Sequence, residues 1–342
     1  MQRATSLERR IDAVAHRFLQ DASAHGVRAG LIEFAVFVLK QAWACVFGAA
    51  LLIVIVAVRL WYPDDAVIAR NDALTIAAVL IQVAMLAFRL ETGRELWVIV
   101  LFHVTGTVME VFKTDAGSWM YAADGILRIG GVPLFSGFMY AAVGSYMVRV
   151  YRLFDLEFSR YPKRWITTVL AVAIYLNFFA HHFWWDARWV LLIGVVIVWL
   201  PTVLHARVWR RTLRLPLLIV FAGVAVFIYL AENIGTWAGA WAYPDQVLAW
   251  QPVSPSKLVS WFLLMIISVV MVTWVYPPRA PLVTVIASRK SRASQGSPGS
   301  SATSGISATA RMLRDDGPAH DEGRMPKHPP LEENDQAPAA GA

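Results

Sequence analysis

Cysteine is almost absent: Cys45 is the single example in 342 residues. That excludes an internal disulfide and a CxxC metal site, and leaves Cys45 as a small core residue. Charged residues are scarce as well, at 16% of the chain, which is outside the balance of a soluble globular domain. There is no Walker A loop, dinucleotide fingerprint, GxSxG elbow or HExxH box, so the common signatures of nucleotide, hydride and hydrolase chemistry are missing. No short apolar stretch with a small-residue cleavage site precedes the first long hydrophobic run, so no cleavable signal is expected. Residues 288–342 lack large apolar side chains almost entirely. Such a tail cannot offset the entropy of ordering, and disorder is expected there.

Hydrophobic residues, in contrast, make up 57% of the chain, and mean hydropathy is +0.51. Eight runs are long enough to cross a hydrocarbon core: 33–58, 72–90, 96–112, 133–149, 165–183, 188–206, 215–233 and 257–276. The expected fold class is all-α, a polytopic transmembrane helix bundle of eight spans built as two four-span repeats with a disordered C-terminal tail. If the N-terminus is cytoplasmic, the segments on that side hold 20 Lys and Arg and the opposite loops hold six. The positive-inside rule then places both termini in the cytoplasm. The formal charge of +7 fits anionic lipid as partner, and nucleic acid is not expected.

The expected organisation is an amphipathic cytoplasmic segment at 1–32, a membrane domain at 33–278 with repeats at about 33–149 and 165–276, and a cytoplasmic tail at 279–342. Thr5 and Glu8 suit a capping box, and Leu7, Ile11, Val14 and Phe18 share one helical face. Lys40 is placed to snorkel toward headgroups. Gln41 and Gln82 suit hydrogen bonds between helices. The basic loop 149–164, with Tyr151, Phe154 and Tyr161 interleaved, reads as an interfacial anchor, and Pro201 reads as a kink in the sixth span.

One pattern occurs twice. Glu110, Gly117, Trp119 and Tyr121, followed by Pro133 and Ser136, return as Glu232, Gly239, Trp241 and Tyr243, followed by Pro255 and Ser260. The spacing E-x6-G-x-W-x-Y is identical, and each copy leaves one hydrophobic run and enters the next. A carboxylate near the end of a hydrophobic helix is costly without a partner, which makes Glu110 and Glu232 candidate acid/base or binding groups. Trp119, Tyr121, Trp241 and Tyr243 supply flat walls with polar edges, and Ser136, Ser260 and His103 complete the candidate ligand-binding set. The copies differ in charge, with Lys113, Asp115, Asp124 and Arg128 near the first and Asn233, Asp245, Gln246 and Lys257 near the second. His103, Glu110, His181 and His182 are suitable metal-ligand types, but they form no HxxxH or HxxHH box, and no metal or other cofactor is expected.

Gly131-Val132-Pro133-Leu134-Phe135-Ser136-Gly137-Phe138-Met139-Tyr140, Arg152-Leu153-Phe154-Asp155, and Glu232 to Tyr243 followed by Ser260-Trp261 resemble the bacterial inner-membrane family called domain-of-unknown-function 817, over roughly residues 30–278. The resemblance implies a multi-pass membrane protein and no particular activity. Glu110, Gly117, Tyr121 and the Gly-Val-Pro at 131–133 are also similar to membrane-embedded carotenoid hydratases, which would make Glu110 an acid. Two functions follow as expectations. One is an outward-facing site for an apolar, isoprenoid or lipid ligand around the duplicated loops. The alternative is a proton-coupled small-solute transporter using the same glutamates.

Overall fold

The computed structural model describes residues 26–281. The expected capping box and amphipathic face near the N-terminus and nearly all of the expected tail lie outside the described residues. Nine α-helices occur in the described range: α1 (Val27–Ala44), α2 (Val46–Trp61), α3 (Arg70–Ala87), α4 (Gly93–Asp115), α5 (Phe135–Leu153), α6 (Arg164–Ala180), α7 (Arg188–Trp199), α8 (Leu217–Trp237) and α9 (Lys257–Val275). Five short strands accompany them: β1 (Arg128–Ile129), β2 (Val132–Pro133), β3 (Glu157–Ser159), β4 (Val203–Arg207) and β5 (Thr212–Pro216). The fold is mostly helical, with these strands as an addition to the expected all-α bundle.

Among the described residues, α3, α4, α8 and α9 are each long and apolar enough to cross a membrane, and the pair α1–α2 makes a fifth if counted as one span. The run 33–58 is not one straight helix, because its axis turns by 66° at Cys45. The run 188–206 also departs from expectation. Pro201 cannot continue a helix, since it lacks an N–H and its ring clashes with the preceding turn. The helix stops at Trp199, and Val203–Arg207 pairs instead with Thr212–Pro216 in a hairpin, with Leu204 opposite Leu215 and His205 opposite Arg214. β3 joins on the other edge of β4 and completes a three-stranded antiparallel sheet. At 12 residues, α7 is only about 18 Å long against a hydrocarbon core of about 30 Å.

Outward-facing rows show how the bundle meets lipid. Val100, Val104 and Val108 recur every fourth residue on α4 and are all exposed, as are Ile219, Val226 and Leu230 on α8 and Val79, Leu80 and Val83 on α3. Exposed tryptophans mark both ends of the bundle: Trp97, Trp165 and Trp274 at one, Trp61, Trp184, Trp185 and Trp189 at the other. Apolar rows between two aromatic girdles are the surface of a membrane protein.

The central helix is α5, which packs on α1, α2, α3, α4 and α9. It faces protein more than lipid, and so it tolerates glycine, serine and arginine. Gly137 and Gly144 on α5 and Gly106 on α4 let the two helices meet closely: a Cβ at these positions would collide with His103, Phe102 and Tyr140 respectively.

The basic loop expected to be an interfacial anchor begins inside the protein. Arg149 is fully buried and pairs with Glu91 at 3.5 Å, while Arg152 pairs with Glu95. Glu91 also accepts from Ser145 and Gln82, each at 2.6 Å. A buried charge needs this kind of compensation, and the two ion pairs lock the turn between α3 and α4 onto the end of α5. Lys40 does not snorkel away from the bundle either. Its ammonium donates to the carbonyls of Leu153, at 2.8 Å, and Val208, and lies over the Phe154 ring. It ties α1 to the end of α5 and to the hairpin.

Candidate functional site

The two copies of the motif fold alike and meet. Helix α4 ends in a left-handed glycine, Gly117 at φ 69°, with Gly117 N–H donating to Thr114 and Ser118 N–H to Lys113. Helix α8 ends the same way: Gly239 is also at φ 69°, donating to Thr236, and Ala240 donates to Gly235. This is a Schellman cap, which satisfies two orphan carbonyls and turns the chain sharply back. In the first copy the turn delivers both aromatics to Glu110, and in the second it delivers Tyr243 to Glu232 while Trp241 packs on Gly235. Glycine at 117 and 239 is therefore required by the cap geometry, since L side chains disfavour positive φ.

Beyond each cap, Met120 and Ala242 pair as an isolated antiparallel bridge, each N–H donating to the other's carbonyl at 2.9 Å. Both residues stand ten positions after their glutamate, so the copies join at equivalent positions. Arg70, at the start of α3, donates to the carbonyls of Ala238 and Gly239 at the end of α8. The next two residues hold the other loop: Asn71 contacts Asp124 and Ala122, and Asp72 accepts from the Ile126 and Leu127 N–H groups. The sequence reading passed over this Arg-Asn-Asp triplet. Its only signal was three consecutive polar residues opening an apolar run.

Glu110 is 3% exposed and is enclosed by three donors: Trp119 Nε1 and Tyr121 Oη at 2.7 Å and Tyr140 Oη at 2.6 Å. Tyr140 reaches it only because Gly106 leaves room for the ring. Glu232, also buried, accepts from Tyr243. Burial, with the neighbouring carboxylate adding to it, holds the Tyr121 and Tyr243 phenols well above their ordinary pKa. Both stay protonated and act as donors. The Trp119 and Tyr243 rings meet edge to face with centroids 6.3 Å apart. A continuous path therefore runs from Glu110 through Trp119 and Tyr243 to Glu232.

On one side of this path lies a cavity of about 300 Å³ between α4, α6, the Tyr243 loop and α9. Trp119, Tyr243, Trp261 and Ser260 wall it, and Met109, Ile174, Phe178, Leu263 and Leu264 give it an apolar lining. Lys113, Lys257, His181 and Arg188 also reach it. Lys113 donates to His182 Nε2 at 2.9 Å. Burial and the adjacent Lys113 ammonium hold both His181 and His182, just past the end of α6, below the usual histidine pKa, so both are neutral acceptors at pH 7.

Of the candidate ligand residues, Trp119, Tyr243 and Ser260 line the cavity. Glu110, Glu232 and Tyr121 stand behind its wall. Trp241 is used in packing, with its ring over Gly235 where a Cβ would lie 2.3 Å away. Ser136 is fully buried beside Tyr121. His103 packs against Gly137 and meets the Phe138 ring edge to face, with centroids 4.8 Å apart. It shares α4 with Glu110 but does not join its hydrogen-bond set. Among the described residues, no group of three or more His, Cys, Asp or Glu side chains is arranged to hold a metal ion. Lys113, Lys257, Arg188 and Trp261 are among the cavity residues absent from the candidate set. Lys113 and Lys257 had been noted only as charge differences between the copies.

Residues 33–269 match the family described as "Protein of unknown function (DUF817)", a range that contains both motif copies and every cavity residue. The chain belongs to the DUF817 family. This DUF817 chain is similar to the uncharacterized protein YoaT of Bacillus subtilis (strain 168), with 42% identity over 233 residues, 68% of this chain and 88% of YoaT. Among solved structures, a cross-linked MvINS trimer aligns with the DUF817 fold at a TM-score of 0.41 and 12% identity, covering 56% of this chain and 98% of that one. A likeness that slight supports no argument.

Proposed function

We propose that this membrane protein binds an apolar or lipid ligand in the cavity walled by the duplicated loops, at the extracytoplasmic face of a bacterial inner membrane. The observation that supports the reading is the convergence of Trp119 from one copy and Tyr243 from the other on a cavity with one apolar wall, Met109, Ile174, Phe178, Leu263 and Leu264, and one polar end. Ligand sites combine apolar walls with placed polar groups, and a cavity divided this way suits an amphipathic ligand. The paired caps and the Met120–Ala242 bridge support a two-repeat architecture, with α4 and α8 as equivalent helices. The charge bias of the loops supports a cytoplasmic location for both termini. In this reading Glu110 and Glu232 orient the aromatic wall through their hydrogen bonds, and Glu110 is the candidate acid for any chemistry on the ligand.

The test is lipid analysis of the purified protein, comparing wild type with Leu264→Trp, which fills the cavity from α9. A lipid species enriched with wild type and depleted with Leu264→Trp supports the reading. Indistinguishable lipid profiles in two equally stable preparations overturn it. Glu110→Gln and Glu232→Gln then separate binding from chemistry: a lipid retained but unmodified identifies the acid as reactive.

A further inference from the structure

The cavity has a polar end with no anion of its own. Lys113 is 3% exposed, yet its ammonium contacts only neutral groups: His181, His182 and, at 5.8 Å, the Phe178 ring. Lys257 lies over the Tyr243 ring at 4.3 Å. Among the described residues neither lysine has a carboxylate within ion-pairing distance. Asp186, the carboxylate that acts on Lys113, is itself bonded to Arg188 and Asn177, and Glu232, which together with Asp245 acts on Lys257 from beyond ion-pairing distance, is bonded to Tyr243 through one oxygen. Burying an ammonium without a counter-charge is costly, and two that share one cavity repel each other.

The backbone adds to this field. Arg188 and Lys257 are the first residues of α7 and α9, and Ser256 and Ser260 sit within a turn of the α9 start. A helix N-terminus carries partial positive charge; that of α7 is capped by Asp186 and Asn177, whereas the start of α9 lies against this end of the cavity. Hydroxyl donors, two ammonium groups and a helix end are the recognition chemistry of a phosphoryl group. The apolar lining begins directly beside them.

We propose that the ligand carries a phosphoryl headgroup, held between Lys113 and Lys257 with Ser260 and Arg188 beside them, while its apolar part lies along Met109, Ile174 and Leu264. The inference rests on the lipid-binding reading and names the ligand's head. A phosphoryl group can arrive on a lipid or as free phosphate, and these sources differ in their need for the apolar lining.

Native mass spectrometry of the full-length protein in detergent tests the inference with three probes: phosphatidic acid, diacylglycerol of the same acyl chains, and inorganic phosphate. Phosphatidic acid is expected to bind wild type, and diacylglycerol to bind at least tenfold more weakly. Lys113→Met and Lys257→Met are each expected to weaken phosphatidic acid by roughly ten- to a hundredfold. Lys113→Arg retains most of the binding, which a purely structural lysine would not predict. Leu264→Trp is expected to displace phosphatidic acid but leave any phosphate binding intact. Equal binding of phosphatidic acid and diacylglycerol, unaffected by Lys→Met but lost in Leu264→Trp, overturns the headgroup and leaves the lipid reading standing. Phosphate binding that needs both lysines, with no lipid bound to any form, keeps the anion site and overturns the lipid reading. Failure of all three probes to bind a stable wild type overturns both.

Discussion

Gly106→Ala should be among the most damaging single-methyl additions in the membrane domain. A Cβ at 106 would lie 2.2, 2.5 and 2.6 Å from the Cγ, Cδ2 and Cβ of Tyr140. Two of those atoms are at the root of the side chain, so rotation about χ2 cannot relieve the contact. Either α5 shifts away from α4, or Tyr140 changes rotamer and withdraws its hydroxyl from Glu110. Overpacking costs about 1–3 kcal/mol, and a lost hydrogen bond to a buried charged acceptor about 1.5–3 kcal/mol. The gain in helix propensity returns only about 1 kcal/mol. Where both costs fall together the net loss is about 1.5–5 kcal/mol, which at roughly 2–4 °C per kcal/mol lowers the melting temperature by on the order of 10 °C. Gly223→Ala is the matched control, because nothing lies within 4 Å of its added Cβ and only the propensity gain remains. Thermal unfolding of both variants in one detergent, followed by near-ultraviolet circular dichroism, makes the comparison. A Gly106→Ala protein that melts with wild type would refute the close approach of the two helices and the third bond to Glu110.

Three further outcomes are expected. Gly117→Ala and Gly239→Ala, each placing a side chain at φ 69°, should each cost about 1–2 kcal/mol, and Asn at either site should cost less; equal thermal stability of the Ala and Asn variants would count against the caps. Arg149→Met should cost about 3–5 kcal/mol because it strands Glu91 in the interior, and adding Glu91→Gln should recover a large part of that loss, measured as a double-mutant cycle on melting temperature; strict additivity would exclude the pairing. Tyr140→Phe should destabilise by about 1.5–3 kcal/mol while Glu110→Gln costs less, since an amide still offers an oxygen, and the reverse order would mean that Glu110 is not held by three donors.

The membrane class and the apolar cores of α3, α4, α8 and α9 are legible in the sequence because each rests on local pattern. Runs of apolar residues, basic loops and a repeated spacing are all visible along the chain. Features that depend on distant partners were not. Arg149 and Arg152 look like interfacial residues until Glu91 and Glu95 are seen beside them. Lys40 sits near enough to a span end to snorkel, and only the fold brings the Leu153 and Val208 carbonyls to it. The sixth run has the hydropathy of a span, and Pro201 within it reads as a kink rather than as a stop. Pro201 and the alternation in Val203–Arg207 and Thr212–Pro216 carried the competing information, a helix stop followed by a hairpin. At the candidate site, Glu110 could be singled out, but not the enclosure that turns it toward the aromatic wall. The two lysines could not be joined to one cavity, because 144 positions separate them in the chain.

The Met120–Ala242 bridge has a bearing on how the protein can move. It clasps the motif-bearing ends of α4 and α8. At the far end, Lys40 links α1 to the hairpin before α8, while Arg94 at the start of α4 donates to the Val275 carbonyl at the end of α9. The first and second halves of the chain are thus fastened above and below. Rocking one half against the other would have to break backbone pairing at one end or these clasps at the other. Separation of helices between the two fastenings breaks only side-chain packing and contacts such as the Tyr175 hydroxyl's bond to the Thr105 carbonyl. Motion between the halves is thereby confined to mid-depth, with both rims held closed.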